Sequence, residues 1–114
     1  MPKKVYIASP YTIGDKLENV DRQLQAANKL IEWGYIPFIP LLYHFYNERY
    51  SKDYEIWMKL DFEWIRSCNY LIRLLGKSKG ADREVEFARM NGKQIFYGID
   101  DFFENIVQID IDYK

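Results

Sequence analysis

At 114 residues, with 48% apolar and 29% charged side chains, the chain is sized for one folded domain over residues 1–114 and is not broadly disordered. A formal net charge of −1 gives no electrostatic reason to bind a nucleic-acid polymer. Cys68 is the sole cysteine and His44 the sole histidine, which excludes an internal disulfide, a multi-cysteine zinc site and a two-histidine centre from one chain.

No signal peptide and no apolar run of transmembrane length is present, so a cytoplasmic protein without a membrane partner is expected. Aromatic content is 18%, with ten tyrosines and three tryptophans. Such rings stack on a flat ligand, but they also pack cores and interfaces.

Val5 to Ala8 reads as a short buried strand ended by Ser9-Pro10. Asp15 and Glu18 have capping-box spacing, and Leu17, Val20, Leu24, Ala27 and Ile31 follow at helical intervals up to Gly34. Tyr35 to Ile39 is a second strand, and Pro37 within it predicts an edge position or a strand end. Leu41 to Asp53, aromatic and polar, reads as a loop over a site. Tyr54 to Ser67 carries helical periodicity through Ile56, Leu60, Trp64 and Ile65. A strand over Tyr70 to Leu75, a helix over Gly80 to Asn91 and a strand over Gln94 to Tyr97 complete the alternation. Asp101 to Glu104 suits a short turn or helix, and Ile106 to Ile111 alternates like an edge strand.

This order predicts an α/β fold, with a parallel sheet covered by helices on both faces. Ligands of such sheets bind beyond the carboxyl ends of the strands. Three loops reach that edge: Ser9 to Gly14, Pro40 to Asp53 and Gly76 to Gly80.

The third loop runs into Glu84, early in the following helix. A carboxylate there either complements the helix dipole, worth about 0.3–1 kcal/mol, or faces a ligand above the sheet. Asp82 and Glu86 each lie roughly 200° around the helix from Glu84, in opposite senses, so only one of the set shares the pocket. Ser78 and Gly80 read as an N-cap and turn, or as a hydroxyl and free N–H groups aimed at an anion. The glycine–lysine–serine/threonine ending of a nucleotide-triphosphate loop is absent.

Tyr6 is either a buried aromatic or a hydroxyl carried towards the sheet edge. Asn69 is either a turn residue or a polar group on a pocket floor. Asp61 is either a solvated charge or a group reaching the site from its helix, with Trp57 four residues earlier as packing. Cys68, with no base nearby in sequence, reads as a small buried residue.

Tyr6-Ile7-Ala8-Ser9-Pro10-Tyr11 and Ser78-Lys79-Gly80-Ala81-Asp82-Arg83-Glu84, with Ala88 and Gly92-Lys93, resemble the nucleoside 2-deoxyribosyltransferase superfamily. That group includes the 2′-deoxynucleoside 5′-monophosphate N-glycosidases and small, often phage-encoded relatives. Pro37 to Pro40, His44, Trp57 and Asp61 look most like the small branch. The resemblance implies a flavodoxin-like three-layer sandwich with a mostly parallel sheet of four to five strands. It also implies a homodimer or higher homo-oligomer with active sites near the subunit interface, and no cofactor or metal.

By this resemblance Glu84 matches a nucleophile that attacks the anomeric carbon, and Tyr6 a tyrosine that positions it. Ser78 matches a serine contacting a 5′-phosphate, where the transferases carry a base-contacting aspartate. Gly80, Ser9, Asp61 and His44 are further substrate-binding candidates. Asn69 stands where the family usually has an aspartate that helps protonate the leaving base, and an amide cannot serve as that acid. The implied substrate is a small-molecule nucleotide or nucleoside. The readings to separate are N-glycosidic hydrolysis or deoxyribosyl transfer, a non-catalytic nucleotide-binding module, and an interaction protein with an aromatic surface.

Overall fold

A computed structural model describes residues 2–107, apart from the side chains of His44 and Val107. Four strands, β1 (Lys4–Ala8), β2 (Ile36–Phe38), β3 (Tyr70–Arg73) and β4 (Gln94–Tyr97), form one sheet in the order β2-β1-β3-β4, and every pairing is parallel. Five helices accompany them: α1 (Lys16–Glu32), α2 (Tyr43–Arg49), α3 (Tyr54–Ser67), α4 (Lys79–Met90) and α5 (Ile99–Phe102).

Strand alternation sends side chains to two cores. Val5, Ile7, Tyr70, Ile72 and Phe96 meet Ala26, Ala27 and Leu30 of α1 and Phe102 of α5. On the other face Tyr6, Ala8 and Leu71 meet Ile65 of α3 and Ala81, Val85 and Ala88 of α4. The result is the expected flavodoxin-like three-layer α/β sandwich.

β2 is an edge strand, as Pro37 requires, with Pro37 opposite Val5 in the register. Asp15 caps α1 through its side chain, accepting from Leu17 N at 2.9 Å and Glu18 N at 3.2 Å. Gly34 ends the helix at φ +86°: its N–H reaches Ile31 O, and that of Tyr35 reaches Leu30 O, the paired bonds of a Schellman cap.

Four expectations need correcting. Of the stripe predicted for α1 Ala27 is buried, but the rest of the buried face is Asn19, Gln23, Ala26 and Leu30, and Leu17 is 77% exposed. In α3, Met58 and Ile65 are buried, whereas Ile56, Leu60 and Trp64 face outwards. The stretch read as a loop from Leu41 contains a 3₁₀ turn, Pro40–Leu42, and then α2. Ile106, read as the start of an edge strand, lies in a π-helical turn, Phe103–Val107, with its side chain in the α1-side core. The rest of that predicted strand falls outside the described residues.

Candidate functional site

The chain runs from β1 out to the edge strand β2, then crosses back to β3 on the other side of β1. The loops after β1 and β3 therefore part at the carboxyl edge of the sheet, the switch point where doubly wound folds hold ligands. A cavity of about 560 Å³ opens there, and Glu84 and Asp61 both line it.

Ser78 starts α4. Its Oγ accepts from Ala81 N at 3.1 Å, so the helix begins at Lys79, one residue ahead of the predicted start. Ala81, Val85 and Ala88 bury one face of α4, and Glu84 shares that burial at 6% exposure. The fully buried Tyr6, from β1, donates its hydroxyl hydrogen to Glu84 Oε2. Asp61 approaches from α3 and interacts with both.

Burial raises the pKa of Glu84 well above the ordinary carboxylate range, and the neighbouring Asp61 charge raises it further. Burial likewise lifts Asp61, to about 6. The Tyr6 bond and the Arg73 guanidinium act in the opposite direction on Glu84. Two raised carboxyls in contact titrate as a pair and share a proton towards neutral pH. Tyr6 itself is pushed up by burial and by the two acids, so its hydroxyl stays a donor.

The competing acids point away. Asp82 pairs with Arg73 at 3.0 Å, and Glu86 pairs with Arg89 on the exposed side at 2.8 Å. Arg73 is a buried cation on β3 that also donates to Leu74 O and Gly76 O, which pins the loop leading to Ser78.

Ser9, Ser78 and Gly80 line the cavity, as do Tyr43, Tyr54 and Trp57, so the segment before and into α3 does supply rings to the site. Arg83 also lines it, held by both oxygens of Glu55 at 2.8 and 3.2 Å. Asn69 is the exception. It sits at the amino end of β3, the opposite edge of the sheet, where its Oδ1 accepts from Lys4 N at 2.8 Å. It is therefore no part of the cavity, and the acid beside Glu84 is Asp61. The backbone of His44 lies in α2; its side chain is outside the described part of the structure.

Burial pushes the Cys68 thiol up to about 11, in keeping with a small packed residue. Among the described residues no group of three or more His, Cys, Asp or Glu is placed to hold a metal ion, and no helix is long and apolar enough to cross a membrane.

Sequence reasoning missed Gln23. This fully buried amide on α1 donates to Ile7 O at 2.9 Å and to Ser9 Oγ at 2.7 Å, and accepts from Leu41 N at 3.0 Å. It ties two walls of the cavity together. Its signal was a polar residue on a helix face whose apolar periodicity pointed elsewhere.

Residues 3–98 match the model of a family described as a domain of unknown function, DUF7768. No curated protein matches the chain. Among solved structures, a 2-deoxyribosyltransferase from the psychrotolerant bacterium Bacillus psychrosaccharolyticus is 21% identical with a TM-score of 0.59, covering 82% of this chain and 70% of that one. A 2-deoxyribosyltransferase from Leishmania mexicana is 20% identical with a TM-score of 0.63, covering 84% of this chain and 63% of that one. These likenesses establish a shared fold.

Proposed function

The chain belongs to the DUF7768 family, and we propose that it breaks the N-glycosidic bond of a nucleoside or nucleotide, passing the (deoxy)ribosyl group to water or to a second base. The observation that carries this reading is the buried Tyr6–Glu84 hydrogen bond with Asp61 beside it, on the wall of an aromatic-lined cavity.

An oxocarbenium-like transition state needs a carboxylate on one side of the anomeric carbon and a proton source at the departing base. In the proposed step an oxygen of ionised Glu84 bonds to the anomeric carbon as the carbon–nitrogen bond breaks. The bonding pair leaves with the base, which takes the proton held by Asp61. Tyr6 keeps Glu84 in line and favours its charged form. The glycosyl ester is then opened by water or by the nitrogen of a second base, whose proton returns to the carboxyl pair. The nearby Tyr43, Tyr54 and Trp57 suit stacking on the base, worth about 1–3 kcal/mol per base in comparable sites.

A 5′-phosphate fits the amino end of α4, where Lys79 and Arg83 line the cavity. Ser78 Oγ accepts from Ala81 N, which leaves its hydroxyl hydrogen free for a phosphate oxygen. The binding-module alternative rested on Asn69, which lies at the far edge of the sheet. We further propose a homo-oligomer in which a second copy covers the outward stripe Ile56, Leu60 and Trp64, each 44–46% exposed.

The test is to incubate the protein with deoxynucleosides, ribonucleotides and deoxynucleoside monophosphates and to follow free base by chromatography. Base release that depends on Glu84 is expected. Release that persists unchanged in Glu84→Gln removes the nucleophile, and nucleotide binding without release from any substrate leaves only a binding module. Equal losses on a nucleotide and its nucleoside in Ser78→Ala remove the phosphate role.

A further inference from the structure

The hydrogen-bond sense of the Gln23 amide is fixed by its backbone partners. Ile7 O can only accept and Leu41 N–H can only donate, so Nε2 faces the first and Oε1 the second. The opposite orientation would set two acceptors and two donors against each other inside the protein, at a cost of several kcal/mol. The second hydrogen on Nε2 then has one partner, Ser9 Oγ at 2.7 Å. Ser9 is thereby obliged to accept from Gln23, and its own hydrogen is left to point elsewhere. Ser9 is 9% exposed and lines the Glu84 cavity.

We propose that Ser9 reads the ligand as a hydrogen-bond donor, held in that role by the positioning residue Gln23, so that this wall selects a substrate carrying an acceptor oxygen. The inference rests on the reading that the cavity binds a nucleoside or nucleotide. The acceptor is a sugar hydroxyl, a base carbonyl or a phosphate oxygen, and matched ligands tell these apart.

The experiment is calorimetric titration of the wild-type protein and Ser9→Ala with ligand pairs differing by one oxygen-bearing group. The pairs are a deoxynucleoside and its 5′-monophosphate, a ribonucleoside and its deoxy form, a deoxynucleoside and its 3′-deoxy form, and two bases with and without the carbonyl. Ser9→Ala is expected to weaken the two members of one pair unequally, the member carrying the contacted oxygen losing more, while the members of every other pair change in step. The loss is about 3- to 10-fold for a neutral oxygen, or about 10- to 100-fold for phosphate. Equal weakening across all ligands, or none, overturns the proposal.

Because Ser9→Ala also strands one hydrogen of Gln23, a lowered melting temperature alone is no support. Gln23→Glu supplies the control. Burial keeps the introduced carboxyl protonated, so its one hydrogen goes to Ile7 O while its oxygens accept from Leu41 N–H and Ser9 O–H, turning the serine hydrogen away from the cavity. It should reproduce the ligand-selective loss with Ser9 still present, and a uniform loss counts against the inference. Ser9→Cys, a weak donor with its chain intact, should fall between wild type and Ser9→Ala on the same ligand; a wild-type profile there overturns the proposal. Wild-type binding of no ligand in the panel defeats this inference and the proposed function together. Binding without base release defeats the glycosyl chemistry alone and leaves the Ser9 comparison decisive.

Discussion

The Tyr6 hydroxyl and the Glu84 carboxylate, 78 positions apart in sequence, meet in one buried hydrogen bond between the first strand and the fourth helix. The donor favours the charged form of a carboxyl that burial and the neighbouring Asp61 hold towards the protonated one. Tyr6→Phe keeps the ring that stacks on Phe38 at 5.5 Å and removes only that donor. Base release should fall about 10- to 100-fold, the worth of a hydrogen bond to a charged group. The pH profile should also move upwards, since the Glu84–Asp61 pair then holds its proton on Glu84 more strongly. A profile that stays in place, read from rates at several pH values, would show that the tyrosine does not control the carboxylate.

Glu84 should cost stability at neutral pH. Its folded-state pKa is raised above the unfolded value, so between the two values the folded chain holds more protons than the unfolded chain. The stabilising contribution is full below the unfolded value, near pH 4.5, and is lost as pH rises through the folded one. Glu84→Gln keeps an oxygen for the Tyr6 hydroxyl and removes the titration. Its melting temperature should exceed that of the wild type at pH 7.5 by on the order of 5 °C, and the gap should close towards pH 4. Thermal melts across that range check it, and a variant less stable than the wild type at pH 7.5 refutes the claim.

Asp61 titrates near 6, close enough to neutrality to carry the proton for the leaving base. Asp61→Asn keeps the shape without the proton. The turnover number should fall about 10²- to 10⁴-fold on an ordinary substrate, the usual worth of general acid catalysis. The loss should be much smaller with a substrate whose base leaves readily as an anion, because that departure needs no proton. Equal losses on both substrates would assign Asp61 to positioning rather than proton transfer.

Much of the frame was legible in the sequence, because strand–helix alternation and glycine caps act locally. Ser78, Gly80, Ala81, Val85 and Ala88 announced α4, and Pro37 announced an edge strand. Two helices misled. In α1 the buried face carries Asn19 and Gln23, whose amides satisfy backbone groups of other segments, so hydropathy alone turned the helix the wrong way. In α3 the most periodic apolar residues face outwards. Asn69 and Asp61 were told apart only by the sheet register, which sets Asn69 at the amino edge and leaves Asp61, on the helix before it, beside Glu84.

That outward face of α3 gives the last expectation. Ile56, Leu60 and Trp64 repeat every four residues and so form one stripe along the helix, and the exposed Leu42 and Tyr46 line a groove together with Trp64. Trp64 is partly committed to the fold, with its ring 4.4 Å from Phe38, so Leu60 is the cleaner position to change. Leu60→Lys places a charge on the stripe and is absent from the lining of the Glu84 cavity. If a second copy covers this stripe, the wild-type protein should sediment as a dimer or larger species at micromolar concentration, with a melting temperature that rises with concentration. Leu60→Lys should sediment as a monomer and lose that dependence. A wild-type chain that stays monomeric at those concentrations, or a variant whose assembly is unchanged, rules this face out as the contact between copies.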